Sequence, residues 1–252
     1  MGVNMAKKKK EIDGQLCFNM CLEAGNYVVQ HNDLIEGKHN LNLTSAKLIR
    51  LAIMQIKPKD TELKPYTLSI KEFAKLTGAS KNTLYRDAEK IKDDILQHPV
   101  EVKQKNKFVA LPWVQAIAYD SEYGFGIQLN SLLKPYLLEL KKHYTQYQLE
   151  NILCMKSVYA IRVFELLEEN SIMRYLPKNG ADIEIPISKI REVCACENKL
   201  KQFVHFKERL LDIAVREINR CTIFDVSYKC ESRGKGKTMD TVIFHVDLFY
   251  KA

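Results

Sequence analysis

The chain carries the same order of predicted elements twice, and this duplication limits the folds open to it more than any other feature. In the first half, LSIKEFAKLTGASKNTLYRDAEKI predicts a strand, a short helix, a glycine-containing turn and a longer helix. In the second half, IPISKIREVCACENKLKQFVHFKERL predicts the same order. A hairpin with a basic tip follows each copy. Helices followed by a basic hairpin are typical of a winged-helix domain, so the sequence predicts an α+β protein of two tandem winged helices.

The long helix of the second copy is predicted over residues 198–220 and is amphipathic. At 100° per residue, its apolar side chains share one side: Phe203, Phe206, Leu210, Leu211, Ala214 and Ile218. Its polar side chains share the other side: Lys201, Gln202, His205, Arg209, Asp212 and Arg216. The glycine-basic loop SRGKGKT follows at 232–238. A polar helix face beside a basic hairpin suits a DNA duplex, with the helix in the major groove. The alternative is an ordinary amphipathic helix with a solvated face.

The pattern divides the chain into three parts. Residues 1–25, which include Lys7 to Lys10, are predicted to form a flexible basic arm. Residues 26–130 form the first winged helix, and residues 131–252 form the second. In the first, Ser45, Ser69 and Ser80 are predicted helix caps. The stretch VEVKQKNKFVALPWVQAIAYD alternates around a basic turn, which predicts a hairpin that serves as the wing.

Composition narrows the class of partner. The net charge is +8 and the pI is near 9.0, a balance that favours polyanionic partners. Hydrophobic residues make up 46% of the chain, which is typical of a globular protein. No apolar run approaches the roughly 18 residues needed to span a bilayer, and the start, MGVNMAKKKK, lacks the pattern of a signal peptide. We therefore expect a cytoplasmic protein without a membrane partner.

The sequence predicts no catalytic site, no metal and no cofactor. GKGKT at 234–238 resembles part of a P-loop, but Glu231 stands where the first glycine of that motif is required. The six histidines show no metal-ligand spacing. The seven cysteines form neither a zinc signature nor a disulfide framework, so we expect reduced thiols in a reducing cytoplasm.

Three stretches carry a resemblance to a known family: NDLIEGKHNLNLTSAKLIRLAIMQI, MKSVYAIRVFELLEE and FVHFKERLLDIAVREINRCTIFDVSY. Over about residues 26–248 the chain resembles the initiator Rep proteins of theta-replicating bacterial plasmids, the RepB-like initiator superfamily. The resemblance implies tandem winged helices related by a pseudo-twofold axis. It implies binding of repeated origin sequences (iterons) as a monomer and of an inverted repeat in the chain's own promoter as a dimer. It also implies dimerisation through the first domain, origin opening, and recruitment of a host initiator and helicase.

The resemblance also assigns roles to residues of both modules. Lys201, Gln202, His205 and Arg209 are expected at base edges, with Arg209 the best candidate for a guanine contact. Phosphate contacts are expected from a second set: Lys207, Arg233, Lys235 and Lys237. Arg216, on the same polar face of the helix, is also expected to bind DNA. In the first module the analogous helix residues are Ser80, Lys81, Asn82, Thr83 and Arg86, and those on the wing are Lys103, Lys105 and Lys107. The residues of the first module match the family less closely than those of the second module.

Three other functions remain open from the residues alone. A transcriptional repressor could use the same two modules without initiating replication. A nicking or strand-transferring enzyme could use one of the twelve tyrosines as a nucleophile, although such enzymes normally carry a metal-binding histidine cluster. A protein-interaction scaffold could use winged helices that never touch DNA. The prediction favoured by the residues and the resemblance is a non-enzymatic initiator that binds double-stranded DNA.

Overall fold

A computed structural model describes residues 26–104, 107–234 and 238–248. The predicted N-terminal arm, residues 1–25, lies outside the described residues. The first half of the described chain alternates short strands with helices. Its elements are β1 (Tyr27–His31), α1 (Asn32–Glu36), α2 (Leu43–Met54), β2 (Pro65–Leu68), α3 (Ile70–Thr77), α4 (Lys81–Gln97), β3 (Val100–Gln104), β4 (Lys107–Leu111), β5 (Val114–Asp120), β6 (Gly124–Leu129) and α5 (Lys134–Leu137).

The second half repeats most of this order. Its elements are β7 (Tyr144–Gln148), α6 (Glu150–Leu153), α7 (Val158–Glu169), β8 (Ala181–Pro186), α8 (Ile187–Val193), α9 (Phe203–Phe206), a π-helical turn (Lys207–Leu211), α10 (Asp212–Cys221), β9 (Phe224–Glu231) and β10 (Thr241–Leu248). Short 3-10 turns lie at Ser131–Leu133 and Ser171–Tyr175.

The two halves share one sheet topology. In the first, three antiparallel strands lie in the order β2-β6-β5, and in the second they lie in the order β8-β10-β9. In the first sheet β2, the strand before α3, pairs with β6. In the second sheet β8, the strand before α8, pairs with β10. The equivalent helices are α2 and α7, then α3 and α8, then α4 and the helix formed by α9 and α10. The prediction of two tandem winged helices is confirmed, and we refer to these two sets of elements as the first and second modules.

The strands β1 and β7 relate the modules to each other. Each precedes the first helix of its own half, so the two occupy equivalent positions in the duplicated order. They pair antiparallel, with Tyr27 opposite Gln148 and His31 opposite Tyr144. Antiparallel pairing of equivalent strands is the arrangement that a twofold axis between them produces. The β1–β7 pairing joins strands that lie on opposite sides of residue 130, where the sequence predicts the domain boundary. That boundary stays a prediction.

Local signals explain how the helices of the first module begin. The Ser69 hydroxyl accepts a hydrogen bond from the Glu72 backbone N–H at 3.1 Å, and the Glu72 carboxylate accepts one from Ser69, which completes a capping box. The predicted cap at Ser45 is wrong, because α2 begins earlier. Asn42 caps this helix instead, and its side-chain oxygen accepts the Ser45 N–H at 3.0 Å.

The basic hairpin of the first half is not the wing of the first module. Strands β3 and β4 form a separate two-stranded ribbon, whereas β5 and β6 occupy the position that β9 and β10 have in the second module. The ribbon joins the segment after α1, where Glu101 and Lys38 exchange backbone hydrogen bonds of 2.8 and 2.9 Å. Alternation in the sequence predicted the strands correctly but could not indicate which partner strand each one takes.

Polar side chains hold the second module against this region. Lys38 lies 2.8 Å from Glu197, and Lys103 of the ribbon lies 2.5 Å from Glu192 of α8. Lys199 donates to the Asn40 side-chain oxygen at 2.6 Å. These contacts are exposed or partly exposed, so each contributes little free energy. They join α8 and the turn that follows it to the first half of the chain.

A buried ionic network occupies the space between the modules. Glu165 of α7 is 0% exposed. Its carboxylate accepts two hydrogen bonds from Arg50 of α2, each with an N···O distance of 3.0 Å. Arg162 donates to the same carboxylate at 2.7 Å, Tyr147 at 2.6 Å and Gln30 at 3.1 Å. Burial alone would raise the pKa of Glu165, but the two arginines and these hydrogen bonds lower it to about 2. One carboxylate is therefore the shared counter-ion of two buried guanidinium groups.

Another nitrogen of Arg162 ties α7 to the backbone of the first half. Its Nη2 donates to the carbonyls of Ile35 and Gly37 at 2.5 and 2.8 Å. His39 is buried, with its Nε2 3.3 Å from Arg50. Burial first, and then the two positive neighbours, hold the pKa of His39 well below its usual range, so its ring is neutral at pH 7.

The expectation that all cysteines are reduced thiols is wrong for one pair. Cys154 and Cys221 are joined by a disulfide, with their Cα atoms 5.9 Å apart. Cys154 follows α6, and Cys221 ends α10, which packs against both α6 and α7. Their 67-residue separation gave the sequence no spacing signal, because only the packing of α10 brings them together. Among the described residues, Cys194, Cys196 and Cys230 are free.

The buried network generates a stability prediction. Replacing Glu165 with Gln leaves two buried arginines without a carboxylate, so we expect the free energy of unfolding to fall by about 3–5 kcal/mol. Urea denaturation monitored by circular dichroism measures this loss. The control is Asp87→Asn, which removes a solvent-screened pair with the exposed Arg86 and should lower the free energy of unfolding far less. Equal losses for the two variants would contradict the central role of Glu165.

The same carboxylate predicts an acid dependence. Its pKa is about 2 in the folded protein and near 4.5 without the fold, so its contribution is fully present above about pH 4.5. The contribution should be lost as the pH falls from about 4.5 towards about 2. Unfolding free energies of the wild type and Glu165→Gln, measured across this range, should therefore converge at low pH. A constant difference between the two curves would show that this carboxylate does not titrate as described.

Candidate DNA-binding interface

The long helix of the second module begins later than the sequence predicted. It runs without a break from α9 through the π-helical turn to α10, residues 203–221, and we call it the second reading helix. Lys201 and Gln202 lie before it, because the backbone N–H groups of Lys199 and Leu200 bond back to the Cys196 carbonyl in a turn. Both side chains are exposed at the start of the helix.

The predicted inner face of this helix is confirmed, with one added feature. Five of its six predicted apolar residues are buried and Phe203 is partly buried; the buried ones are Phe206, Leu210, Leu211, Ala214 and Ile218. The backbone N–H of Asp212 bonds to the Lys207 carbonyl, five residues back, which is the π-helical pattern. Leu210 and Leu211 lie within this π-helical turn, and both face the core.

The outer face presents cations that the folded chain leaves open. Lys201, Arg209 and Arg216 are exposed, and none has a side-chain hydrogen bond or ion pair with any described residue. Lys207 is also exposed and lies 3.8 Å from Asp212, at the edge of an ion-pair contact. His205 is partly buried. The predicted base-reading residues therefore lie on one surface, at and just before the N-terminal half of the helix.

Arg191 of α8 positions the beginning of the second reading helix. Its guanidinium lies over the Phe206 ring, 4.4 Å from the ring centroid. The same group donates to the backbone carbonyls of Leu200 and Lys201, the second at 3.4 Å. Arg191 thus joins the second helix of the module to the turn that carries Lys201. Sequence reasoning missed this residue, because its partners are carbonyl groups that leave no trace in the sequence.

The hairpin after the second reading helix is ordered at its base by Asp240. Its carboxylate accepts the backbone N–H groups of Arg233 at 3.0 Å and Gly234 at 2.8 Å. The hydrogen bond from Arg233 is the main cause of the lowered pKa of Asp240. The Arg233 side chain lies 2.7 Å from Glu184 and 3.4 Å from Glu231, so its charge is partly balanced. The predicted contacts Lys235 and Lys237 lie outside the described residues.

The equivalent helix of the first module, α4, also exposes its predicted residues. These are Ser80, Lys81, Asn82, Thr83 and Arg86. The Arg86 guanidinium, however, makes a two-bonded contact with Asp87, with both N···O distances 3.1 Å. A DNA phosphate or base would have to compete with this carboxylate. The surface of α4 is therefore less available to a polyanion than the second reading helix.

The wing of the first module differs in charge from the hairpin of the second. The turn between β5 and β6 contains Asp120, Glu122 and Tyr123, and Asp120 accepts the backbone N–H groups of the other two at 2.7 and 2.9 Å. This turn is acidic and would repel phosphate. The basic residues predicted for the wing lie on the β3–β4 ribbon, where Lys103 pairs with Glu192 and Lys107 is exposed. Lys105 lies outside the described residues.

Two exposed residues of the second reading helix were not predicted as contacts. Val204 and Glu208 lie one helical turn apart, among the exposed cations. The apolar-versus-polar division used for the sequence passed over Val204, because a valine is normally counted with the core.

Among the described residues, no group of three or more His, Cys, Asp or Glu side chains could hold a metal ion. The helices in the described part of the chain include none of the length and apolarity needed to cross a bilayer.

The fold and this surface define a protein with two winged-helix modules, of which the second presents an open basic reading face. Family models place the chain in a particular group. Residues 27–168 match the model described as "Initiator Replication protein, WH1", and residues 186–246 match "Initiator Rep protein, WH2". The chain therefore belongs to the initiator replication protein family. The first model extends through β7 and nearly all of α7, elements that the sequence prediction assigned to the second domain.

Two individual proteins are similar to this chain. A crystal structure of the Pi initiator protein in complex with iteron DNA superposes with a TM-score of 0.73 at 16% identity, covering 89% of this chain and 98% of that one. At this identity the likeness concerns the fold. An uncharacterized 27.6 kDa protein of Escherichia coli is 22% identical over 223 residues, covering 82% of this chain and 91% of its relative.

The contacts of Arg191 generate a prediction for the start of the second reading helix. Replacing Arg191 with Met keeps an apolar stem over Phe206 but removes the donors to Leu200 and Lys201. We expect the free energy of unfolding to fall by about 1–3 kcal/mol, because two carbonyls lose a charged partner. The matched control is Arg216→Met, an exposed arginine on the same module, which should change stability by less than about 0.5 kcal/mol. Denaturant unfolding of both variants tests the difference, and similar losses would argue against a positioning role.

Proposed function

We propose that this initiator family member binds repeated sequences in double-stranded DNA, and that its second module reads them. One observation carries the proposal: Lys201 just before the second reading helix, and Arg209 and Arg216 on it, are exposed and have no side-chain partner among the described residues. Long cationic side chains left open on a folded surface attract a polyanion. The similar fold of an initiator bound to iteron DNA supports duplex repeats of the iteron type as the ligand.

The arrangement supports separate roles for base reading and for phosphate binding. Arg209 is five residues past Val204 and within the first two turns of the helix, the part that faces base edges when such a helix enters the major groove. Its guanidinium has the fork geometry that matches guanine. Lys207 is placed for phosphate contact. Arg233 extends the surface beyond the helix, although Glu184 and Glu231 share its charge.

The first module contributes less to sequence reading in this proposal. Arg86 is already paired with Asp87, and the turn between β5 and β6 is acidic. Lys81, Lys107 and Lys103 remain available for phosphate, the last by exchanging Glu192 for DNA. Two modules on one face of a duplex reach across roughly two helical turns, at about 10.5 bp per turn. We therefore propose a binding site of about this length.

The wider initiator role is also part of the proposal. It includes origin opening, recruitment of a host initiator and helicase, and self-association on an inverted repeat of the operator, where the protein would repress its own promoter and so limit plasmid copy number. It places the protein in the bacterial cytoplasm with plasmid DNA. The proposed activity is non-enzymatic and requires neither a metal nor a cofactor.

Arg209 and Lys207 separate base reading from phosphate binding. Arg209→Ala should weaken binding by about 1–3 kcal/mol on a duplex selected by the protein and much less on a random duplex. Lys207→Ala should weaken binding to both duplexes alike and reduce the slope of log K against log salt by about one unit. Fluorescence anisotropy at several salt concentrations measures both effects. If Arg209→Ala weakens binding to both duplexes equally, Arg209 contacts phosphate and its assignment to base reading is wrong.

Two further experiments distinguish the alternative functions. A plasmid carrying the gene and its flanking DNA should replicate only with an intact gene, and Arg209→Ala should reduce its maintenance; a repressor alone would not support replication. Supercoiled origin DNA incubated with the protein and Mg²⁺ should stay supercoiled. A nicked or covalently bound product would reveal a tyrosine-dependent enzyme and contradict the proposal.

A further inference from the structure

We propose that Val204 reads a thymine by contact with its C5-methyl group, an inference that rests on the proposed binding of duplex DNA by the second reading helix. Val204 is the second residue of this helix and is 58% exposed. The thymine methyl is the apolar group that base pairs present in the major groove, and apolar side chains recognise it there.

The surroundings of Val204 distinguish it from an ordinary exposed apolar residue. The exposed residues of the second reading helix are Val204, Lys207, Glu208, Arg209 and Arg216. Val204 is thus the one apolar member of a charged surface. Single exposed apolar side chains are common on proteins, but this one lies inside the face proposed to meet DNA. A protein partner would require a larger apolar patch, which this face lacks.

Folding does not explain a valine at this position. A β-branched residue is less favourable in an exposed helix than alanine, lysine or glutamate, because its χ1 rotamers are restricted. Val204 receives no compensating burial, since more than half of its surface is open to solvent. Its branched, rigid side chain does suit a contact with one methyl group, because little rotamer freedom is lost on binding.

The helix geometry places Val204 beside the residues that contact DNA in the proposed function. Lys207 lies three residues after Val204 and Glu208 lies four residues after it, so both are neighbours of Val204 on the exposed surface of the helix. The N-terminal residues of a recognition helix are those that reach base edges in the major groove. Arg191 holds the turn before the helix through the carbonyls of Leu200 and Lys201, so the position of Val204 is fixed before DNA arrives.

Uracil substitution tests this inference because it removes only the thymine methyl. A preferred duplex is first selected from a random library with the full chain. Each thymine is then replaced singly by uracil, and the dissociation constants are measured for the wild type and for Val204→Ala. We expect one thymine at which uracil weakens wild-type binding about fourfold, the effect of losing one buried methyl group. At that thymine, Val204→Ala should bind the two duplexes equally.

A matched variant controls for general effects of apolar loss. Ile223 is 57% exposed and lies just beyond the other end of the same helix, so Ile223→Ala should keep the full uracil effect. Circular dichroism and denaturation should show that Val204→Ala folds as the wild type does. If no thymine shows a uracil effect, or if Val204→Ala retains it everywhere, the inference is overturned while duplex binding stands. If the chain selects no duplex, the proposed function itself fails and the inference fails with it.

Discussion

The contact of Glu165 with Arg50 and Arg162 determines how the two halves of this protein meet. All three groups are almost fully buried, so the carboxylate and the two guanidiniums can be accommodated only in contact with one another. Arg50 and Arg162 come from equivalent helices, and the equivalent strands β1 and β7 pair beside them. The network therefore lies near the pseudo-twofold axis that relates the two modules. The relative direction of α4 and the second reading helix depends on that relation, because each of these helices is packed into its own module.

Much of the fold could be predicted from the sequence because its strongest signals are local. The capping box at Ser69, the apolar stripe of α4 and the alternation in β8 each lie within a few residues, and the duplicated order follows from them. The role of the β3–β4 ribbon could not be predicted in this way. The sheet contains β5 and β6 but not β3 and β4, because β6 pairs with β2. These two paired strands lie about 60 residues apart along the chain, so no local pattern indicates the pairing.

The same division applies to the reading surface. The outward positions of Arg209 and Arg216 follow from helical periodicity and are confirmed as exposed. The start of the helix at Phe203 and the support from Arg191 were not predictable, because both arise from carbonyl groups of a turn that folds back on Cys196. The disulfide between Cys154 and Cys221 was missed for a related reason, since it depends on where α10 packs.

The unequal charges of the buried network also restrict which halves can pair. The first module contributes a cation from α2, whereas the second contributes a cation and the only carboxylate of the trio, both from α7. Two first modules from separate chains, brought together in the same manner, would bury two copies of Arg50 with no counter-ion. Such mismatched pairs would be strongly disfavoured. The internal duplication has thus become a pair of unlike partners, in which correct assembly is ensured by carrying both on one polypeptide.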